Sequence, residues 1–311
     1  MEQLAKINVL IVTYKHALVI GRTLESILCQ KEHGLNKIII CDDCSPDNNW
    51  DVITKYAQKY PNYIQAYRNE QNLGIYGNSD KLVSLRGVAD LYCWLEGDDA
   101  LCEGFLANIQ LQIKDKHIDL TEPVGICCDW KLVNPEGYEC VHSNKAAGVS
   151  RLLPISMYFR DMISWRGSVF SSSVLSKFTP TILDQGLNLA ETLFDSQFFK
   201  YSNKLYYSDF IGTIYYSGIG ISTTLGEQSS YRTRQVLTKA SYFINDYGLN
   251  KKDRYWWLYI LNRTKNQLEP SLKMFIRSVY YYIRGVYCGR GSGTNKIRRY
   301  IFPLIRAFFI K

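Results

Sequence analysis

Short apolar runs alternate with amphipathic segments through the first third of the chain. Residues 7–12 form a continuous apolar run rich in β-branched side chains, which predicts a strand buried on both faces of a parallel sheet. Residues 17–31 follow, with Ile20, Leu24 and Ile27 at helical spacing. The alternation continues with predicted strands at residues 37–41, 63–67 and 89–95, and with predicted helices that begin at Pro46 and at residue 76. This order predicts an α/β fold with a mostly parallel sheet.

Polar clusters follow each of these predicted strands. They occupy residues 13–16, 42–45, 69–77 and 96–99. Because ligands of open α/β sheets bind beyond the carboxyl ends of the strands, four clusters at one edge predict a nucleotide-type cleft.

The pattern beyond residue 105 is less regular. Residues 134–137 have the composition of a hairpin turn. We predict a helix that carries Glu191 and Asp195, and a short strand at residues 204–208. The predicted organisation is one α/β domain over residues 1–225, with halves 1–105 and 106–225 and a sheet that becomes mixed in the second half, followed by a helical extension over residues 226–311.

Composition narrows the class of protein. Of the 311 residues, 46% are hydrophobic and 21% charged, which excludes a disordered chain. The nine cysteines are an odd number and scattered, and we interpret them as reduced thiols in the cytoplasm. The sequence shows no leader pattern, and no uncharged apolar run reaches the roughly 18–20 residues of a spanning helix.

Charge is concentrated in residues 271–311, which carry nine Lys and Arg and no Asp or Glu. Because the whole chain has a net charge of +8, the other residues sum to about 8 − 9 = −1, which argues against nucleic acid as a partner. Cations mixed with apolar residues suit a helix on an anionic membrane surface. This predicts a cytoplasmic protein, peripheral on the inner face of the cell membrane. The alternative is a helix packed on the domain with its cations in water.

Four segments together resemble the family 2 glycosyltransferases with the GT-A fold. They read VLIVTYKHALVIGRTLESILCQ, IIICDDCSPDNN, RNEQNLGIYGN and LYCWLEGDD, and they span roughly residues 7–105. The resemblance implies an enzyme that moves a sugar from a nucleotide-diphosphate donor, most often a UDP-sugar, to an acceptor hydroxyl with inversion. It further implies a divalent metal, Mn²⁺ or Mg²⁺, and an acceptor that is a lipid-linked saccharide or a growing polysaccharide.

The resemblance assigns the acids after the fourth predicted strand to the metal and the donor. Asp99 is the implied metal ligand, and Asp98 contacts the nucleotide or the metal. A divalent ion held by carboxylates neutralises a departing diphosphate at short range. Glu96 occupies the position of a third acid, and its role as a ligand stays open because its side chain is longer.

The resemblance also implies a set of residues that bind the nucleotide-sugar: Thr13, Tyr14, Asp42, Asp43, Asn72 and Gly74. A carboxylate such as Asp42 can accept a hydrogen bond from a pyrimidine N–H, and Gly74 allows close backbone approach to the ligand. The alternative for Asp42 and Asp43 is that they stabilise a turn.

By the same resemblance, Glu191 aligns with the base that deprotonates the acceptor, and Asp195 is its competitor one helical turn later. Two other functions remain open at this point. One is a nucleotidyltransferase, and the other is a non-catalytic carbohydrate- or membrane-binding protein built on the same fold.

Overall fold

The computed structural model describes residues 3–149, 154–161, 163–178, 190–218, 237, 240–241, 243–245, 249, 251–268 and 270–287. The chain divides into two compact units, Met1–Thr223 (unit 1) and Thr224–Lys311 (unit 2). The predicted boundary between residues 225 and 226 lies outside the described residues, and it stays a prediction.

The first half of unit 1 is a parallel sheet with intervening helices. Its elements are β1 (Ile7–Thr13), α1 (Ile20–Leu28), β2 (Leu35–Asp42), α2 (Asn49–Lys59), β3 (Ile64–Arg68), α3 (Gly74–Ser84) and β4 (Leu91–Glu96). All seven residues of β1 are buried, as expected for a strand covered on both faces. The helix α1 contributes Ile20, Leu24 and Ile27 to the same core. The predicted alternation of strands and helices is therefore confirmed.

The second half of unit 1 extends this sheet. Its elements are β5 (Ala100–Leu101), α4 (Phe105–Asp115), β6 (Val124–Val133), β7 (Glu139–His142), α5 (Ala146–Val149), α6 (Pro154–Asp161), β8 (Ser168–Ser171), α7 (Ser172–Leu175), α8 (Ala190–Tyr201) and β9 (Lys204–Tyr216). Within the described ranges, the strand order is β3-β2-β1-β4-β8-β6-β9-β5, and β7 pairs with β6. Strand β8 runs antiparallel to β4 and β6, whereas β9 runs parallel to β6. The mixed second half of the sheet is confirmed.

One sequence prediction for this half is confirmed, and another is too short. The predicted hairpin turn joins β6 to β7, and Gly137 N donates to Asn134 O across 3.0 Å. Strand β9 continues to Tyr216, eight residues beyond the predicted strand at 204–208, because it pairs along β6 and then with β5.

Unit 2 contains two long helices, α9 (Lys251–Leu268) and α10 (Leu272–Tyr287). They pack around the buried rings of Tyr259 and Tyr282, with Phe275 and Val279 against them. The predicted helical extension is thus confirmed for these residues, whereas residues 288–311 of the basic segment lie outside the described part. None of the described helices has the length and apolar character needed to cross a membrane.

Candidate active site

The register of the sheet places the ends of β1 to β4 side by side. Thr13 pairs with Asp42, Asp42 pairs with Arg68, and Val12 pairs with Glu96. The polar clusters predicted from the sequence therefore meet at one edge of the sheet.

An acidic group, the triad of Glu96, Asp98 and Asp99, follows β4. One carboxylate oxygen from each residue lies within 4.8 Å of the others. The Thr23 hydroxyl of α1 lies 3.0 Å from Gly97 O and 2.7 Å from Asp99 O, and its single hydrogen can be donated to either oxygen. It therefore helps to fix the turn that carries the acids. Carboxylate oxygens are the donors that Mg²⁺ and Mn²⁺ prefer, so this donor set fits a divalent cation.

Gly97 lies at the centre of the turn in very close contact with β1. A Cβ atom at this position would lie 2.5 Å from Thr13 Oγ1 and 2.8 Å from His16 Nδ1. Only glycine therefore fits between the acids and the loop after β1.

His16 links the loop after β1 to the triad. Its Nε2 lies 3.7 Å from Asp98 Oδ2, and its Nδ1 lies 3.2 Å from Thr13 Oγ1. Burial lowers the pKa of His16 below its ordinary value, although the nearby charge of Asp98 acts in the opposite direction.

Asp42 is fully buried and is bound on both oxygens. Its Oδ1 accepts hydrogen bonds from Ser45 Oγ at 2.5 Å and Asn49 Nδ2 at 2.6 Å. Its Oδ2 accepts one from Ser45 N at 3.0 Å and lies 3.4 Å from Arg68 Nε. This geometry makes Asp42 a brace between β2, α2 and β3, and its predicted contact with a nucleotide stays a prediction.

Asp43, the next residue, is bound through one oxygen. Its Oδ1 accepts from Leu73 N at 2.8 Å and from Asn69 Nδ2 at 2.9 Å. Among the described residues we find no hydrogen bond to Asp43 Oδ2. Asp43 therefore holds the loop after β3 with one oxygen and keeps an acceptor for a further donor group.

The loop after β3 brings the two other predicted residues beside Asp43. Asn72 Nδ2 donates to Asp43 O at 3.2 Å, and Asn72 Oδ1 accepts from Gly74 N at 3.0 Å. Gly74 begins α3 with a φ of +70°, a left-handed conformation that favours glycine.

Tyr14 lies on the loop after β1, on the same edge. Lys15 beside it adopts a φ of 62° and donates from its backbone N to Ser45 Oγ at 3.0 Å. The Lys15 ammonium lies 5.0 Å from the centroid of the Tyr14 ring.

The end of β9 closes the other side of the triad. Tyr216 N donates to Asp99 Oδ1 at 3.2 Å. Arg22 of α1 donates to Asp98 O at 2.6 Å, and its guanidinium carbon lies 3.5 Å from the centroid of the Tyr216 ring. One arginine thus connects α1, the acidic turn and β9.

A second arginine, Arg166, was missed by sequence reasoning. Its Nη2 lies 3.2 Å from Glu96 Oε2, and its Nε lies 3.8 Å from Asp99 Oδ2. Arg166 is 70 positions from Glu96 in the chain, and no motif links the two. Only the pairing of β8 with β4 brings them together.

The two candidate bases, Glu191 and Asp195, lie on α8 and are four positions apart. Their side chains lie outside the described part of the structure, and the choice between them stays a prediction.

The topology and the acidic turn after β4 together define a GT-A fold. The structure of Staphylococcus aureus TarS 1-349 in complex with UDP-GlcNAc superposes with a TM-score of 0.62 and 16% identity, covering 89% of this chain and 79% of TarS. Residues 8–170 match the family described as Glycosyl transferase family 2. The chain belongs to this family.

Two further relatives extend the comparison. The mannosyltransferase PcManGT of Pyrobaculum calidifontis, in complex with GDP-Man and Mn²⁺, has a TM-score of 0.51 at 14% identity and covers 98% of this chain and 86% of its own. The minor teichoic acid biosynthesis protein GgaB of Bacillus subtilis is 32% identical over 121 residues, which are 38% of this chain and 13% of GgaB. In the other curated relatives that we compared, the aligned segment covers 18% to 33% of the relative.

Proposed function

We propose that this protein transfers a sugar from a UDP-sugar to an acceptor hydroxyl with inversion at the anomeric carbon. The observation that carries the proposal is the meeting of Asp43, the Asn72–Gly74 loop and the acidic triad at one edge of the sheet. This edge supplies an acceptor for a base N–H, a backbone that a ligand can approach, and carboxylates for a metal.

The nucleotide is held between the loops after β1 and β3 in this proposal. Asp43 Oδ2 accepts the N–H of a pyrimidine base, since its other oxygen already holds the loop. Asp42 acts beneath it as the brace, and Thr13 and Tyr14 border the base. The structure of TarS with UDP-GlcNAc supports a uridine nucleotide.

Asp98 and Asp99 would hold Mn²⁺ or Mg²⁺, and PcManGT with GDP-Man and Mn²⁺ supports this metal class. When bound, the ion supplies positive charge to the diphosphate leaving group. The chain adds its own positive charge, because Arg22 and Arg166 lie against the same acidic turn.

The acceptor is deprotonated by an acid of α8, Glu191 in our assignment and Asp195 in the alternative. An inverting transfer needs this base on the face opposite the leaving group. GgaB, by its name a protein of minor teichoic acid biosynthesis, supports a growing polymer or a lipid-linked saccharide as the acceptor.

An anionic membrane surface is the second partner that we propose, and it would place the enzyme on the inner face of the cell membrane. Helix α10 supports this proposal with an exposed apolar stripe made of Leu272, Ile276, Tyr280 and Ile283. At 3.6 residues per turn, these four residues fall within an arc of about 80° around the helix axis. Lys273 and Arg277 border this arc on one side.

A thermal-shift panel tests the donor class. UDP-, GDP-, CMP- and dTDP-sugars are compared with and without Mn²⁺, and we expect stabilisation by a UDP-sugar that requires the metal. Slow metal-dependent release of UDP then separates an enzyme from a binding protein. Stabilisation by none of the donors would overturn the proposal.

A further inference from the structure

A stacked pair of rings lies on the hairpin formed by β6 and β7. Trp130 and His142 are directly opposite each other in the two strands, and their ring centroids lie 4.1 Å apart at an interplanar angle of 9°. His142 is exposed, and Trp130 is half-buried. Because cross-strand aromatic pairs also stabilise hairpins, the stack on its own does not indicate a ligand.

The position of the stack in the sheet is more informative. Strand β8 is antiparallel to both β4 and β6, so β6 runs in the same direction as β4, and β9 runs parallel to β6. Trp130 lies near the carboxyl end of β6, and Tyr215 lies near the carboxyl end of β9. These ends therefore continue the edge of the sheet at which the polar residues after β1 to β4 meet.

A third ring and a guanidinium group connect the stack to the acidic triad. The half-buried ring of Tyr215 meets Trp130 edge to face, with centroids 6.3 Å apart and an interplanar angle of 78°. The guanidinium carbon of Arg166 lies 4.3 Å from the Tyr215 centroid and 5.8 Å from the Trp130 centroid. Its Nη2 lies 3.2 Å from Glu96 Oε2. One side chain therefore spans the distance between the triad and the rings.

The three rings, Trp130, His142 and Tyr215, form what we call the aromatic platform, and it lies across the triad from the proposed nucleotide residues. Asp43 and Asn72 follow β2 and β3, the triad follows β4, and the platform belongs to β6, β7 and β9. A donor with its base beside Asp43 and its diphosphate at the triad has its acceptor on the far side of the diphosphate, because the acceptor hydroxyl must reach the anomeric carbon.

We propose that the aromatic platform binds a pyranose ring of the acceptor saccharide by stacking. The C–H face of a pyranose is apolar and gains free energy when an aromatic ring covers it, while the ring hydroxyls remain available to polar groups. This proposal rests on the proposed function and adds to it a site that recognises the acceptor.

The test follows the imidazole signals of the protein by nuclear magnetic resonance, after labelling of its histidines with ¹⁵N. Methyl glycosides of glucose, galactose, mannose, N-acetylglucosamine and N-acetylgalactosamine are titrated in the presence of UDP and Mg²⁺. We expect at least one glycoside to shift the signal of His142, which the variant His142→Phe assigns. The signals of His33 and His117, which are exposed elsewhere, should not move. Sorbitol, a polyol without a ring face, should shift none of them.

Variants of Trp130 separate stacking from other contacts. Trp130→Leu should weaken binding of the glycoside by at least about fivefold, because leucine has no flat aromatic face, whereas Trp130→Phe should bind within about threefold of the wild type. Val141→Ala is the matched control, since Val141 precedes His142 on the exposed strand β7 and its side chain projects from the other face of the strand. It should bind the glycoside as the wild type does.

Three results would overturn the proposal: no glycoside shifts the His142 signal, sorbitol shifts it equally, or Trp130→Leu binds as the wild type does. The first two are measured on the wild type, so they decide the matter even if Trp130→Leu does not fold. A shift of His142 by UDP-GlcNAc alone would assign the platform to the donor sugar and overturn the acceptor assignment. Failure of the proposed function has a different signature, since the wild type would then neither bind UDP nor release it from a UDP-sugar, whatever the response of His142.

Discussion

Asn49 of α2 donates from Nδ2 to Asp42 Oδ1 at the end of β2, across only 2.6 Å. Ser45 and Arg68 occupy the remaining positions around the same buried carboxylate. We therefore expect Asp42→Asn to destabilise the fold, because its amide group would face other donors and Arg68 would keep its hydrogen bond to Ser45 O but lose its carboxylate partner. The free energy of unfolding in urea should fall by about 2 kcal/mol.

The matched control for this substitution is Asp115→Asn, at the exposed end of α4, which should change stability by less than about 0.5 kcal/mol. Wild-type stability of Asp42→Asn together with lost UDP binding would show instead that Asp42 acts on the ligand.

In contrast to Asp42→Asn, Asp43→Asn should keep the stability of the fold and weaken nucleotide binding. The asparagine Oδ1 can still accept from Leu73 N, so the fold is retained, but an amide nitrogen replaces the oxygen that we assign to the base. UDP should bind about tenfold more weakly by isothermal titration calorimetry. An unchanged affinity would remove Asp43 from the nucleotide site.

The first half of the sheet could be predicted because its pattern is local. Strands such as β1 are continuous apolar runs, and α1 places its buried residues at helical spacing, so each element is visible in its own segment. The meeting of the four polar clusters then follows from parallel strand topology.

The parts that could not be predicted depend on long-range pairing. Strand β9 extends to Tyr216 because β6 and β5 lie beside it, and Arg166 reaches Glu96 because β8 pairs with β4. Neither of these contacts between distant segments produces a hydrophobic periodicity or a motif spacing that can be recognised in the sequence. The bracing role of Asp42 was visible only as an alternative, since acids in a turn look alike whether they bind a ligand or a backbone.

Gly97→Ala should damage both the fold and the metal site. The added Cβ would lie 2.5 Å from Thr13 Oγ1 and 2.7 Å from Thr13 Cβ, and Thr13 is buried. Overpacking of this kind costs about 1–3 kcal/mol, and the displaced turn carries Asp98 and Asp99 with it. Urea unfolding measures the first effect, and the Mn²⁺-dependent thermal shift with a UDP-sugar measures the second.

Gly21→Ala on α1 is the matched control for Gly97→Ala, because its new Cβ would meet Tyr56 Oη at 3.4 Å, an ordinary contact. It should keep or raise stability, since alanine is the better helix former. Equal stability of the two variants would contradict the argument from close approach.

Glu191→Gln should stop transfer and leave donor binding intact, because a base on the acceptor side has no part in holding the nucleotide. With the donor and acceptor pair that gives turnover, the rate should fall by at least about 100-fold, while the thermal shift with donor and Mn²⁺ is retained. Asp195→Asn, one turn away on α8, is the control. Normal transfer by Glu191→Gln together with inactivity of Asp195→Asn would assign the base to Asp195.

The apolar stripe of α10 predicts binding to anionic vesicles. Ile276 is 57% exposed at the centre of the stripe, and a glutamate there would place negative charge against an anionic surface. Each cation beside the stripe adds about 1 kcal/mol at such a surface, so binding should weaken with salt. Ile276→Glu should therefore lose co-sedimentation with phosphatidylglycerol vesicles.

Leu111→Glu is the matched control, since Leu111 is 55% exposed on α4, and it should bind as the wild type does. Vesicle binding by Ile276→Glu at the wild-type level would show that this stripe does not face the membrane.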